Sequence, residues 1–276
     1  MKDYLNADAL LDPIFVERER RESKMQAVKP HVHRFYELYF LLDGQIDKFV
    51  GSRTYHLQPM DLIIIQPNVP HCSLLCKDYR HERAMIYFDG RSVKNKQLLQ
   101  RLDQQSGVIS LSSTAAQRVF KLFNILNQER EHDEWYDTYV SSVLCELLIV
   151  ILRNATSDSK PYAGVRFEKI IDYVKENCCE AISLLSVANR FFISDAHLSR
   201  MFRKNTGFTF TQYVNYQRII RAQQLLSDRS AVVGEVATRC GFESLTHFGR
   251  VFKQLTGYSP REYRKRSGMD SVEAGA

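Results

Sequence analysis

The chain has 276 residues, of which 44% are hydrophobic and 25% charged, with a net charge of +6. That length can hold two domains with separate cores, and the composition excludes a disordered, collagen-like or disulfide-stapled chain. The longest purely apolar run, Leu147–Leu152, is far too short to span a bilayer and the N-terminus has no apolar signal stretch, so a cytoplasmic protein without membrane contacts is expected.

The positive excess lies entirely in the C-terminal part. Residues 165–276 carry 17 Lys+Arg against 11 Asp+Glu, and the remainder carries 21 of each. A basic surface of this kind attracts phosphate backbones. The six cysteines (72, 76, 145, 178, 179 and 240) lack zinc-finger spacing and several sit among apolar neighbours, as buried free thiols do.

Residues 1 to about 30 are polar, with one strand expected around 13–17 and the run ERERRESK read as a solvated surface. From His31 to about Asp89 the pattern turns β. The runs YELYFLL, FVGSRTYHL, DLIIIQP and RAMIYFD, separated by Gly, Pro, Asn and Asp, predict an antiparallel sandwich or barrel. Inside it, His31-x-His33, three residues, Glu37, six residues and Gly44 make a spacing that resembles the first motif of the cupin fold. His71 stands at the His of the second motif, with Asn68 where Gly is usual and Leu75 where Asn is usual.

Residues 31, 33 and 37 share parity, so one strand would point all three into a barrel. Three imidazoles and a carboxylate suit a divalent transition metal, and they also suit the polar lining of a small-molecule pocket. His31, His33, Glu37 and His71 are therefore the candidate effector-binding residues and, in the other reading, the candidate metal ligands. The organic effector is the preferred reading, with no cofactor and no catalytic residue.

Leu98 to Asn154 turns helical, with Val119, Leu122, Phe123 and Leu126 on one face and Tyr136, Val140, Val143, Leu147 and Val150 on another. Those helices read either as a dimerisation element or as cover for the barrel. Residues 154–164, NATSDSKPYAG, read as a linker.

The C-terminal part contains a repeat. HLSRMFRKNTG, His197 to Gly207, recurs as HFGRVFKQLTG, His247 to Gly257, at an offset of 50 residues. Leu198, Met201 and Phe202, like Phe248, Val251 and Phe252, fall at core-facing helical spacing, and Gly207 and Gly257 suit helix ends. Ser194 and Ser244 suit N-caps. Upstream of each lies a shorter helical pattern with a small residue, Ala188 or Ala237, before a tight turn. Two helix-turn-helix units follow from this, each with a second helix able to enter a major groove. Thr209-x-x-Gln212 is a capping-box pattern opening a long connecting helix, and Ser259-Pro260-Arg261-Glu262 opens a short final one.

Residues 166–266 resemble the DNA-binding domain of the AraC/XylS family of bacterial transcription regulators, most specifically through Gly241, Phe242 and Pro260. Phe192 departs from that pattern, since the turn there carries a small or polar residue in the family. N-terminal effector domains of that family are often cupin-like. The resemblance implies an α+β, two-domain chain. A cupin-like β-barrel with helices occupies 1–153, a linker 154–164, and an all-α domain with two helix-turn-helix units 165–267.

It also implies a sequence-specific regulator, activator or repressor, controlled by a sugar-like effector. The expected partners are double-stranded DNA, RNA polymerase and a second copy of the chain. Arg200 and Arg250 are the best candidates for base contacts, because Arg meets guanine bidentately. Ala196, Ser199, Leu245 and Thr246 occupy the family's other base-facing positions, where their short or apolar side chains suit thymine methyl groups. His197 and His247 touch DNA or pack within the motif, and Arg203, Lys204 and Lys253 suit phosphates. The alternative is a metal-dependent cupin enzyme or metal sensor fused to a DNA-binding domain.

Overall fold

A computed structural model describes residues 14–22, 31–74, 80–105, 107–129, 131–155, 165–228 and 230–267. They divide into two compact units, one within residues 1–28 and 33–162, the other within 29–32 and 163–276. Most of the segment read as a linker lies outside the described residues, as do Leu75 and the tail beyond residue 267.

The first unit is an antiparallel two-sheet sandwich with helices on one side. Strands β1 (Ile14–Arg21), β2 (Tyr36–Gly44), β5 (Asp61–Ile65), β7 (His81–Phe88) and β8 (Val108–Ser110) form a five-stranded sheet in the order β1-β7-β2-β5-β8. Strands β3 (Ile46–Val50), β4 (Arg53–Leu57) and β6 (His71–Leu74) form the second, in the order β4-β3-β6. The run FVGSRTYHL is a hairpin rather than one strand. Gly51, at φ +65°, and Ser52 turn the chain between Val50 and Arg53, which pair.

Period 2 sorts the large sheet into two layers. Tyr36, Leu38 and Phe40 of β2 pack with α2 (Ser113–Gln128) and α3 (Tyr136–Arg153), whereas Tyr39 and Leu41 join Ile63, Ile65 and Met85 between the sheets. Strand β2 is therefore buried on both faces. Val119, Leu122, Phe123 and Leu126 of α2 and Val140, Val143, Leu144 and Leu147 of α3 belong to that same apolar layer. Of the two readings of these helices, the Val140, Val143 and Leu147 face of α3 is the cover, packed with α2 and the sheet. A further helix, α1 (Lys96–Gln104), and the three-residue β8 precede α2.

The charge run in β1 corrects another expectation. Arg18 and Arg20 keep about half or more of their side chains exposed, but Arg21 retains 13% and Glu19 34%. Alternation places Glu17, Glu19 and Arg21 on the inner side, where Glu19 meets Arg83 of β7 at 2.6 Å.

The second unit holds seven helices among the described residues: α4 (Val165–Glu176), α5 (Leu184–Arg190), α6 (Asp195–Thr206), α7 (Phe210–Leu226), α8 (Val233–Arg239), α9 (Leu245–Thr256) and α10 (Pro260–Ser267). The long α7 packs against α4 and α6 and against α8, α9 and α10. Phe202 centres the first cluster, edge-on to Phe167 and Phe210 at 5.5 and 5.3 Å. Phe248 and Phe252 centre the second with Ile219, Ala222 and Leu226 of α7. Capping follows the expected residues. Ser194 and Ser244 accept from the backbone N–H of His197 and His247, and Thr209–Gln212 and Ser259–Glu262 form reciprocal boxes. Gly207 and Gly257 end α6 and α9 in the left-handed region.

Candidate DNA interface and effector pocket

In each helix-turn-helix unit the second helix buries one face and leaves the other to solvent. Leu198, Phe202 and Thr206 of α6 are buried while Ala196, His197, Ser199, Arg200, Arg203 and Lys204 are exposed. Residues 196, 199, 200 and 203 follow i, i+3, i+4, i+7 and so form one stripe. In α9, Phe248, Val251 and Phe252 are buried, and Leu245, Thr246, Arg250 and Lys253 are exposed. His247 is half-buried with its ring 5.7 Å from that of Phe242, so it packs inside its motif. His197 has no such burial, and the two histidines are not equivalent.

Sequence reasoning missed Gly249. It occupies in α9 the position of Ser199 in α6, and a Cβ added there would meet nothing within 4 Å. Glycine inside a helix costs about 1 kcal/mol relative to alanine, and no intramolecular contact requires it. The signal was in the repeat: HFGR stands against HLSR. Gly241 has the opposite character. At φ +78° it turns the second motif, and an added Cβ would collide with the Cys179 carbonyl. The corresponding turn of the first motif uses Phe192 at φ +53°, with 91% of the residue exposed.

Between the sheets of the first unit lies a polar cluster. Its histidines do not arrive on the strand that their parity suggested. β2 begins only at Tyr36, and the chain bends at Arg34 and Phe35, where the Phe35 carbonyl accepts from His33 Nδ1 at 3.0 Å. The bend folds His33 Nε2 to 3.1 Å from Glu37 Oε2. His71 opens β6, donates from Nδ1 to the Val69 carbonyl at 2.9 Å, and lies with Nε2 3.2 Å from the same oxygen. One ligand atom each from His33, Glu37 and His71 lies within 4.8 Å of the others, while His31 groups with the second unit. Asn68 takes φ +61°, a conformation asparagine tolerates, and its N–H reaches the His33 carbonyl at 2.8 Å. It thereby supplies the turn for which a glycine is usual.

Lys48, absent from the expected set, completes the cluster. Its ammonium lies 3.2 Å from Glu37 Oε1 and 3.6 Å from the centre of the Tyr39 ring, and both members of the ion pair are almost wholly buried. The signal for it was parity in β3, where Ile46, Lys48 and Val50 alternate with Asp47 and Phe49. Burial opposes the charge on Glu37, but Lys48, His71 and His33 outweigh it and hold the carboxyl well below its ordinary value. Burial lowers His71, and the neighbouring carboxylate only partly offsets this. Burial also pushes the Tyr39 hydroxyl up to about 12 and raises Tyr87 and Glu17.

A metal fits this set only in part. Histidines that donate Nδ1–H to carbonyls and turn Nε2 inward are oriented as metal ligands are. The second Glu37 oxygen, however, already carries a buried ammonium, so a dication would enter beside an existing positive charge.

Two family profiles match the chain: an AraC-like ligand binding domain over residues 15–148 and a helix-turn-helix domain over residues 187–266. The HTH-type transcriptional activator RhaR of Escherichia coli O139:H28 is 27% identical over 249 residues, covering 85% of this chain and 86% of that protein. RhaR of Cronobacter sakazakii is 27% identical over 247 residues, covering 86% and 87%. The crystal structure of apo ToxT K231A from Vibrio cholerae covers 92% of this chain and 97% of its own, at 12% identity and a TM-score of 0.38, too loose a likeness to carry an argument. With both of its parts matched in order and RhaR alike over most of its length, the chain belongs to the AraC family of DNA-binding transcription regulators, not to a family of enzymes.

Proposed function

We propose that this protein is a cytoplasmic transcription activator that reads promoter DNA with α6 and α9 and is switched by a neutral, hydroxyl-rich, sugar-like effector held between its two sheets. The effector and dimerisation domain spans residues 1–153, the linker 154–164 and the DNA-binding domain 165–267. The observation that carries the effector assignment is the charged interior. Glu37 faces Lys48, and Glu19 faces Arg83 and Arg21, inside an otherwise apolar sandwich. A core selected for stability alone gains little from buried ion pairs. With Glu17 on the same inner side, three carboxylates face three cations, so a neutral polyol exchanges hydrogen bonds without adding charge, whereas a phosphate or carboxylate leaves one uncompensated. A thermal-shift screen on the full chain tests this: neutral sugars should raise the midpoint and sugar phosphates should not. A shift confined to anionic ligands would sink the assignment.

The DNA-reading role rests on the paired exposed stripes. Arg200→Ala and Arg250→Ala should each weaken binding to the operator by about 1–3 kcal/mol, and nearly additively, with a smaller loss on scrambled DNA. Gly249→Ala should raise the stability of the domain by about 1 kcal/mol while weakening operator binding, because the added methyl stands where the helix backbone approaches DNA. Competition assays on both DNAs decide the matter. Equal losses on operator and scrambled DNA would reduce the arginines to phosphate contacts.

RNA polymerase and a second copy of the chain are the expected protein partners. For the second copy, the outer side of α3 is self-complementary. Ile149, 40% exposed, lies midway between Glu146 and Arg153, and Tyr139 and Trp135 continue the stripe. Two α3 helices crossing antiparallel at Ile149 bring each Glu146, which pairs with Arg118 of its own chain at 2.8 Å, up to the Arg153 of the other copy. Among the described residues no helix is long and apolar enough to cross a membrane.

A further inference from the structure

The two oxygens of Glu37 face different company. Oε2 is shared by the Nε2 atoms of His33 and His71 at 3.1 and 3.2 Å, and Oε1 is held by Lys48 Nζ at 3.2 Å. The histidines arrive from the segment before β2 and from β6, and the lysine from β3, so the carboxylate is the point at which both sheets meet one charge. We propose that Lys48 is a built-in substitute for a metal ion: its ammonium supplies the positive charge that this His/Glu cluster is shaped to receive, and so keeps divalent metals out of the sandwich.

Three observations support this. Lys48 is fixed, not exchangeable, since it is covalently part of β3, its side chain is 3% exposed, and it rests 3.6 Å from the Tyr39 ring centre in a cation–π contact. The Lys48–Glu37 pair is neutral, and nearby Arg21 and Arg83 already have Glu19 as a shared partner. With Glu17 beside them, three inner carboxylates already match the three cations Lys48, Arg21 and Arg83, so a dication on His33, His71 and Glu37 would add two positive charges to a balanced interior, where repulsion is screened far less than in water. Finally, the remaining donors are otherwise competent, because His33, Glu37 and His71 present one ligand atom each within 4.8 Å. Chemistry that should bind a transition metal and the presence of the ammonium point in opposite directions, and the ammonium is the part that cannot leave.

The inference uses the reading of this interior as a pocket only for its location. Its test reads metal rather than effector, so either can fail alone. Full-length wild type, Lys48→Met and Lys48→Gln are titrated with Co2+ in metal-free buffer, following visible absorption of the coordinated ion, with far-UV circular dichroism recording the fold. Wild type should show no stoichiometric site. At least one lysine variant should take up one Co2+ per chain about 100-fold more tightly than wild type, and adding His71→Ala should abolish the uptake. A variant that is unfolded without metal and folds on adding Co2+ counts as the same gain. Wild type that retains one Co2+ per chain through dialysis would overturn the proposal, and so would lysine variants that take up no cobalt, whether folded or not.

Discussion

Replacing Glu37 with glutamine is expected to destabilise the N-terminal domain by about 3–5 kcal/mol, a large part of the roughly 5–15 kcal/mol by which a domain is stable. The change removes no volume and leaves polar atoms in place, so the loss reports charge. Lys48 would be left as a buried ammonium without a counter-ion, since Glu37 is its partner at 3.2 Å and its side chain is 3% exposed. Adding Lys48→Met to Glu37→Gln should recover most of the loss, because removing both charges together leaves nothing unpaired. Urea denaturation of the wild type and the three variants gives the cycle.

The pH dependence has a definite sign. The folded-state pKa of Glu37 is depressed, so its contribution is present above the ordinary carboxylate value of 4.5 and fades only as pH falls through the folded-state value, well below that. The wild-type contribution of Glu37 is therefore the same at pH 6 and pH 8, and a Glu37→Gln penalty that shrinks as pH rises reports loss of the Lys48 proton, which burial already favours. A single-variant loss under about 1 kcal/mol, or a double variant no better than the single, would mean that the pair is solvated.

Helix α3 should respond in opposite ways to one kind of substitution on its two faces. Val143 is 9% exposed and packs in the layer between α2, α3 and the five-stranded sheet. Val143→Asp puts a carboxyl there with no partner, at a cost of about 3–5 kcal/mol, and should unfold the domain or leave it barely folded at ambient temperature. Ile149→Asp adds the same group to the outer face and should leave the domain folded. It places two like charges at the crossing point of the proposed dimer, and sedimentation should show monomers. Folded monomers from Val143→Asp would reverse this assignment of the faces. Folded dimers from Ile149→Asp would move the interface off α3.

The DNA-binding half was legible because it is local. Its two motifs are short helices with their own caps, and Ser194, Gly207, Thr209 and Gly257 signal boundaries within a turn of where they act. The repeat located the exposed stripes before any tertiary contact was needed. The sandwich was less legible because its polar residues meet across sheets. His33, Glu37 and His71 were visible through spacing, yet the strand parity invoked for His31 and His33 with Glu37 fails at the bend of Arg34 and Phe35.

Lys48 gave only the faint sign of a charge at an inward position of a five-residue strand, and its partner is 11 residues away on the other sheet. Glu17, Glu19 and Arg21 were hidden by their own abundance. A run of charges reads as surface until pairing with β7 shows that every second one turns inward. Strands β6 and β8, of four and three residues, were too short for alternation to register.

The double burial of β2 limits how this domain can signal. A strand with one solvated face can slide along its neighbour and re-form its ladder, but here a slip of one residue would turn Glu37 into the apolar layer beneath α2 and α3 and bring Leu38 among the charged side chains. The ladder is held on both edges as well, by β5 and by β7. Sliding is therefore closed to the strand, and a ligand pressing on Tyr39 or Glu37 acts on a wall whose far side is the seat of α3. Effector binding must then be transmitted as a tilt or shift of sheet and helices moving together, and hydrogen exchange in β2 should stay slow in both states while the outer face of α3 changes.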